Sequence, residues 1–572
     1  MNWKTASVVG SWIAATGKAS AQETEKLSIA DKIDKNLTPV AEAFEWVVFR
    51  PIPILGEKVP IVLLLLAGTA LFLTIYFKFV NVRSFKLAAK TLKGKYSKGD
   101  EPGQITHFQA LTTALSATVG LGNIAGVAVA IGLGGPGAVF WMVIMGLLGM
   151  TSKFTECTLG VRYRSIDPDD GEAHGGGMFY LKKGLAERGF KGLGAFLAIW
   201  FAIACVGGAL GAGNMFQSNQ AHAQISETFG IFENTPWAFG LIVAILVGVV
   251  IIGGIQSIAR VTERLVPLMC GIYVIACIVV LVSHIGDVPA AFGTIIKEAF
   301  APTAAAGGFI GALIQGVRRG VFSNEAGVGS AAIAHAAVKT RKPASEGVVA
   351  LLEPFVDTVI VCTMTALVIV VTGMWKVDAT VAAPALSPTQ ELLTKEIALA
   401  EDNKVKILDQ EDSNDLAASS WVKVRVFETE EEGYVTGDTV TARGGIWRTS
   451  EAFKGTMSWF PYVLAISVFL FAFSTMISWS YYGEQAVNFL SGGSNKATLI
   501  YKLVFCLCII LGASASLGNV LRISDSLFFA MVVPNLIGLY FLLPIVKQEL
   551  EDFRRYAKRV DDGATLDEAE EG

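Results

Sequence analysis

The sequence predicts an all-α polytopic membrane protein with about eleven spanning helices, and three observations carry that prediction. Apolar stretches near the ~20 residues that cross a bilayer recur along the chain. The composition agrees: 52% of residues are hydrophobic and 17% charged, against roughly 25% charged in soluble domains. Lysine and arginine alternate between successive connections, as the positive-inside rule requires. Two spans, the second and the seventh, are interrupted by glycines. They lie an odd number of spans apart and so cross in opposite directions. That is the mark of two inverted five-helix repeats, spans 2–6 and 7–11, after one extra N-terminal span.

Residues 1–58 precede the first span. Lys4, a short apolar run and Ala19-Ser20-Ala21 have the form of a signal peptide and its cleavage site. A polar N-terminal tail fits equally. Ile29, Ile33, Leu37, Val40, Phe44 and Val47 recur at helical spacing. They read as an amphipathic helix, lying on the membrane or packed on the protein.

Hydropathy places spans at 60–81, 110–133, 137–161, 195–220, 236–256, 263–284, 306–336, 347–374, 457–488, 497–518 and 522–546. Residues 59–374 thus hold eight spans and 457–546 three, with a tail at 547–572. Basic residues cluster in the odd-numbered connections: Arg83 to Lys98, Arg162 to Lys191, Arg260 and Arg264, Lys339 to Lys342, and Lys496. The N-terminus is therefore expected outside and the C-terminus inside a bacterial-type cytoplasmic membrane. The connection 375–456 is long, polar and acid-rich. VKVRVF and TVTA alternate as strands do, with Gly433 and Gly437 as turn residues. A small β-rich external cap and a disordered insertion are both consistent with it.

Polar groups inside spans are costly and therefore informative. The second span, LSATVGLGNIAG, holds Ser116, Thr118 and Asn123 among its glycines. Its Gly122 and Gly126 form a GxxxG pair, which reads as a helix-packing face or as part of a broken, ligand-binding helix. The fourth span holds Asn214, Gln217 and Asn219. The seventh holds Gln315, Gly316, Arg318, Arg319, Ser323, Asn324 and Glu325, and Glu325 reads as a partner for the two arginines. Asp357 in the eighth reads first as another arginine partner and second as a cation ligand. The ninth holds Ser474, Thr475, Ser478, Trp479 and Glu484.

Other classes find little support. The net charge of -4 gives no general basic footprint for nucleic acid. The seven cysteines all lie in apolar segments, without disulfide or zinc spacing. There is no H-E-x-x-H, G-x-S-x-G or P-loop, and the five histidines are scattered, so no enzyme is expected. A channel would want a continuous polar path and filter repeats, and only one broken pair is present.

Taken together, GLGNIAG, GGPGAVFWM, TSKFTECTLGVRYR, GNMFQ, RRGVFSNEAGVGSA and FSTMISWSYYGE resemble the alanine or glycine:cation symporter family. The resemblance covers about 60–546 apart from the insert. Val143 stands where the family pattern has a second tryptophan, and the acidic insert is longer than the family's. The resemblance implies a leucine-transporter-type fold, sodium as coupling ion, and alanine or glycine as substrate. It implies carbonyls of Ser116, Val119 and Ala472 and a hydroxyl of Ser474 or Thr475 at a sodium site. Thr118, Gly122, Gln217 and Trp479 would then meet the substrate, and Asn123, Gln315 and Gly316, beside the two breaks, are expected to bind it too. The lipid bilayer is the expected partner. Alanine, glycine or serine, another small zwitterion, and the oligomeric state stay open.

Overall fold

The computed structural model describes residues 48–54, 57–168, 171–301, 308–376, 406–407, 424–428, 431–435, 446–515 and 517–571. The expected signal peptide and amphipathic helix lie outside these residues. The described part is mostly helical. A two-stranded hairpin, Pro51–Ile54 with Glu57–Pro60, leads into α1 (Ile61–Tyr76). The first broken span follows as α2 (His107–Thr118) and α3 (Ala125–Gly134), then α4 (Gly137–Arg162) and α5 (Lys191–Phe229). Next come α6 (Pro236–Ile251), α7 (Gly254–Ser283), and then α8 (Gly308–Asn324) and α9 (Ala331–His335), separated by an interruption at residues 325–330. α10 (Pro343–Val371), α11 (Ile446–Lys454), α12 (Phe460–Ser491) and α13 (Asn495–Ser514) follow. α14 (Leu517–Phe529), α15 (Val532–Asp561) and α16 (Leu566–Glu571) complete the chain.

Among the described residues, seven helices are long and apolar enough to cross a membrane. The bent pair α2–α3 brings the count to eight if it is one span, and α1 and α6 are shorter apolar helices. The chain turns at Ile252–Gly253, earlier than hydropathy alone suggests, because Gly254 takes a left-handed φ of 60°. α4 is central, with 67% of its apolar window buried, whereas α13 has 28%. α13 accordingly turns Leu499, Ile500, Leu503 and Leu507 outward, as a lipid-facing helix does.

α2 starts at a capping box. Gln109 N donates to the Thr106 hydroxyl, and Thr106 N donates to Gln109 Oε1. It ends at Thr118, and α3 leaves at 59° to it. Gly120 is the residue that needs to be glycine there: an added Cβ would lie 2.6 Å from Thr475 Oγ1. The GxxxG packing reading fails by contrast. Gly126 has nothing within 4 Å of such a Cβ, and Gly122 meets only ordinary contacts from 3.5 Å. A backbone group freed at the break is satisfied from within, since Gly120 N donates to Asn123 Oδ1 at 2.9 Å. The second break passes through left-handed Glu325, Gly327 and Gly329, at φ 56°, 87° and 88°.

Two π-helical turns interrupt longer helices, Gly211–Met215 in α5 and Phe355–Cys362 in α10. Such turns gather at functional positions.

The insert is partly described. Val424–Glu428 and Glu431–Val435 pair as an antiparallel hairpin, with Lys406–Ile407 beside it. Gly433 is not the turn residue expected: it sits within the second strand opposite Val426. TVTA and Gly437 lie outside the described residues. Nor is 375–456 wholly peripheral. α11 packs inward, its Arg448 donating to Met374 O at 3.0 Å and its buried Thr449 to Ile124 O at 3.4 Å.

The tail folds back on the first basic connection. Lys90 and Lys95 bond Asp561 at 2.7 and 2.5 Å, and hold its carboxyl down at about 2. Lys98 pairs with Asp567 and with Glu570.

Candidate functional site

A small cavity opens where the two breaks meet α5 and α12. Thr118, Gly120, Gly122, Gln217, Glu325 and Trp479 line it, closed off by Phe322 and Phe528. It offers about 10 Å³ of water-accessible space, room for roughly one water. A larger guest therefore requires side chains to move.

Its walls are set by close backbone approach. Trp479 is 2% exposed and packs against the π-turn of α5, where a Cβ on Gly213 would meet Trp479 Cγ at 2.2 Å. The indole Nε1 donates to Glu325 Oε1 at 3.0 Å, and Ser330 Oγ donates to Glu325 Oε2 at 2.5 Å. Gln217 donates its amide to Ala212 O at 3.0 Å. Its Oε1 is buried and accepts nothing, so a polar acceptor stands free beside the cavity. Such an orphan is costly unless a ligand uses it.

One turn away, α2 meets α12 through oxygen atoms. Thr475 Oγ1 donates to Ser116 O at 3.0 Å, and Ser116 Oγ donates to Ser474 O at 2.7 Å. Ser474 Oγ turns back to Phe471 O on its own helix at 2.9 Å. Val119 ends α2, fully buried, and Ala472 is likewise buried in α12. Carbonyl and hydroxyl oxygens of this kind suit a hard cation. Among the described residues, no cluster of histidine, cysteine and carboxylate suits a transition metal.

Some expected residues stand elsewhere. Asn123 lies behind the cavity, its amide donating to Ser323 Oγ at 3.0 Å, to Asp357 O at 3.1 Å and to Asp357 Oδ1. With Oδ1 bound to Gly120 N, it braces the break. Gly316 serves packing: a Cβ there would lie 2.4 Å from Ala138 O on α4. Gln315 is buried on the same helix and packs by Gly134, away from the lining. Thr118 lines the cavity, while its hydroxyl bonds Ala114 O at 3.2 Å.

The charge pairing also differs from expectation. Arg318 and Arg319 bond neither Glu325 nor Asp357 but Asp525 on α14, at 2.8 and 3.3 Å. Asp357 instead accepts from Asn123, from Ser323 Oγ at 2.7 Å and from Thr358 Oγ1 at 2.7 Å. Glu325 has no arginine on it and lines the cavity, held by Trp479 and Ser330. Sequence reasoning missed Glu325 and Gly120 as site residues. The signal for both was present, a carboxylate and a glycine at the two breaks, but sequence proximity pointed Glu325 to the arginines.

Comparison with known proteins adds a family match. The sodium:alanine symporter family matches residues 45–407 and 432–566. The chain is 38% identical over 500 residues to the sodium/alanine symporter AgcS of Methanococcus maripaludis, covering 87% of this chain and 95% of the relative. It is 32% identical over 508 residues to the probable sodium/glutamine symporter GlnT of Bacillus subtilis, covering 88% and 90%. It is 30% identical over 507 residues to YrbD of the same organism, a putative sodium/proton-dependent alanine carrier, covering 87% and 90%.

Proposed function

The chain belongs to the sodium:alanine symporter family, and we propose that it carries alanine or glycine inward together with sodium. Membership makes it a multi-pass membrane transporter performing cation-coupled amino-acid symport, and no catalytic activity is indicated. The finer reading is a leucine-transporter-type arrangement of eleven spans, with sodium held between α2 and α12 and substrate in the adjoining cavity. One observation carries it: the Thr475–Ser116 contact lies beside a cavity with an orphan acceptor on Gln217 and a carboxylate on Glu325.

The chemistry follows from the parts. A zwitterionic amino acid needs donors for its carboxylate and acceptors for its ammonium. The break between α2 and α3 offers backbone N–H groups at a half-helix start, which favour an anion. Gln217 Oε1 and Glu325 offer the acceptors. Trp479 bounds the side chain, so the smallest substrates demand the least displacement. Inward sodium movement supplies about 2.3 kcal/mol per charge per 100 mV, and alternating access around the cavity couples the two fluxes. Basic-residue alternation supports a cytoplasmic C-terminus.

Uptake of labelled alanine into proteoliposomes tests the reading. An inward sodium gradient is expected to drive accumulation, with glycine competing and glutamine competing poorly. Equal uptake with and without the gradient would overturn it.

A further inference from the structure

The two broken spans are tied together at a second place, far from the cavity. His107 is the first residue of α2 and His335 the last of α9. Both present Nδ1 to the same carboxylate, Glu346 in the first turn of α10, with His335 at 2.5 Å from Oε1 and His107 on Oε2. His335 Nε2 lies 3.6 Å from Glu353, and Glu353 takes Lys153 of α4 at 2.9 Å. His107 is 5% exposed and the other four are fully buried.

The backbone is bound along the same line. Ile105 bridges Val338 in parallel register, Gln104 N donates to Ala337 O at 2.8 Å, and Lys339 N to Ile105 O at 2.8 Å. Arg164, just beyond α4, donates to Pro102 O, Ala336 O and Thr340 O, each at 2.7 Å. Gly103 has no room for a side chain, since a Cβ would lie 2.2 Å from Val338 O. Toward α7 and α12, α2 packs closely but is joined by bonds that involve side chains, with no backbone–backbone bond among the described residues. Those side-chain bonds are Gln109 to Glu263 at 2.8 Å, Thr113 with Thr262 at 3.1 Å, and Ser116 with Ser474 and Thr475.

We infer that Glu346 is a positioning residue, locking α2 to α9 through His107 and His335 so that the inner halves of both broken spans keep a fixed relation. It touches neither the cavity nor the oxygen cluster. It acts through α2, whose far end carries Ser116 and Thr118. Releasing His107 lets α2 shift and moves the Ser116 carbonyl away from Thr475. The charged chain through His335, Glu353 and Lys153 extends the lock to α4. The inference rests on the alternating-access reading above, and the test separates the two.

Spin labels are placed at Phe108→Cys with Arg341→Cys, reporting on α2 against the α9 side, and at Phe108→Cys with Arg260→Cys, reporting on α2 against α7. All three sites are exposed, and the half-buried Cys270, Cys506 and Cys508 are replaced by alanine. The lock predicts that adding sodium and alanine leaves the first distance distribution unchanged and shifts the second. Glu346→Gln is then expected to broaden the first distribution and to raise the sodium needed for half-maximal uptake by about tenfold, a typical coupling between separated sites. Glu346→Asp, which keeps the charge, is expected to recover part of the loss. A first distance that moves as much as the second in the unsubstituted background would show α2 hinging alone and overturn the lock, with alternating access intact. If neither distance moves, alternating access fails and the lock with it. Glu346→Gln with the original distances and sodium dependence would also overturn it. If Glu346→Gln fails to fold, the unsubstituted background still decides.

Discussion

Trp479 donates its indole N–H to Glu325 Oε1 across 3.0 Å, and both side chains border the cavity between the broken spans. Trp479→Phe keeps a ring but removes the donor, leaving a buried carboxylate oxygen without its partner. A buried group left unsatisfied costs roughly 1–3 kcal/mol. The alanine concentration for half-maximal uptake should rise by about tenfold, and larger neutral amino acids should compete better. Uptake curves against alanine, with serine and glutamine as competitors, check this; unchanged curves would detach the indole from recognition.

Gly120 and Gly126 separate close approach from helix flexibility. A Cβ on Gly120 would lie 2.6 Å from Thr475 Oγ1, whereas one on Gly126 meets nothing within 4 Å. Gly120→Ala should abolish sodium-dependent uptake in a protein that still reaches the membrane. Gly126→Ala should transport at near the original rate. Expression-matched uptake decides, and equal effects of the two would reject the assignment of the break.

The helix interruptions at 119–124 and 325–330 were legible because polar side chains and glycines are costly inside apolar stretches unless the helix is interrupted or lines a cavity there. Which face each polar residue turns was not legible. Gln315 and Gly316 stand beside a break in sequence, yet their helix turns them to α4 and Gly134. The partner of Arg318 and Arg319, Asp525, lies about two hundred residues on, and local pairing pointed to Glu325 instead. His107 and His335 looked scattered for the same reason, since only the packing of α2 against α9 and α10 puts them on Glu346.

Asp525, on α14, is shared by two buried arginines. Removing one member of a buried pair leaves charge uncompensated and costs roughly 3–5 kcal/mol. Asp525→Asn should lower the thermal unfolding midpoint in detergent by several degrees, and uptake with it. Arg318 also lies 4.6 Å over the Phe49 ring, so Arg318→Lys should recover less than the retained charge suggests. An unfolding curve of Asp525→Asn that overlays the original would refute this.

The insert divides at its C-terminal helix. Replacing residues 377–445 with a short Gly/Ser linker should leave sodium-driven uptake largely intact. Extending the replacement through α11 should not, because Thr449 reaches Ile124 O at the first break and Arg448 reaches Met374 O beyond the end of α10. Loss of uptake in the shorter replacement, with the protein correctly inserted, would assign the insert a part in transport.

The central claim is that sodium binds where Thr475 meets Ser116, and its most direct test is alanine uptake against sodium concentration for Thr475→Ala and Thr475→Ser. The hydroxyl stands 3.0 Å from the Ser116 carbonyl and is proposed to replace one water of the ion's shell. A lost charge-assisted bond costs roughly 1.5–3 kcal/mol, and each 1.4 kcal/mol is about tenfold in affinity. Thr475→Ala should therefore move the sodium dependence by about one to two decades, with a smaller effect on alanine recognition at saturating sodium. Thr475→Ser, which keeps the hydroxyl, should move it far less. A Thr475→Ala curve that tracks the unsubstituted protein at matched expression would contradict the claim and move the ion elsewhere.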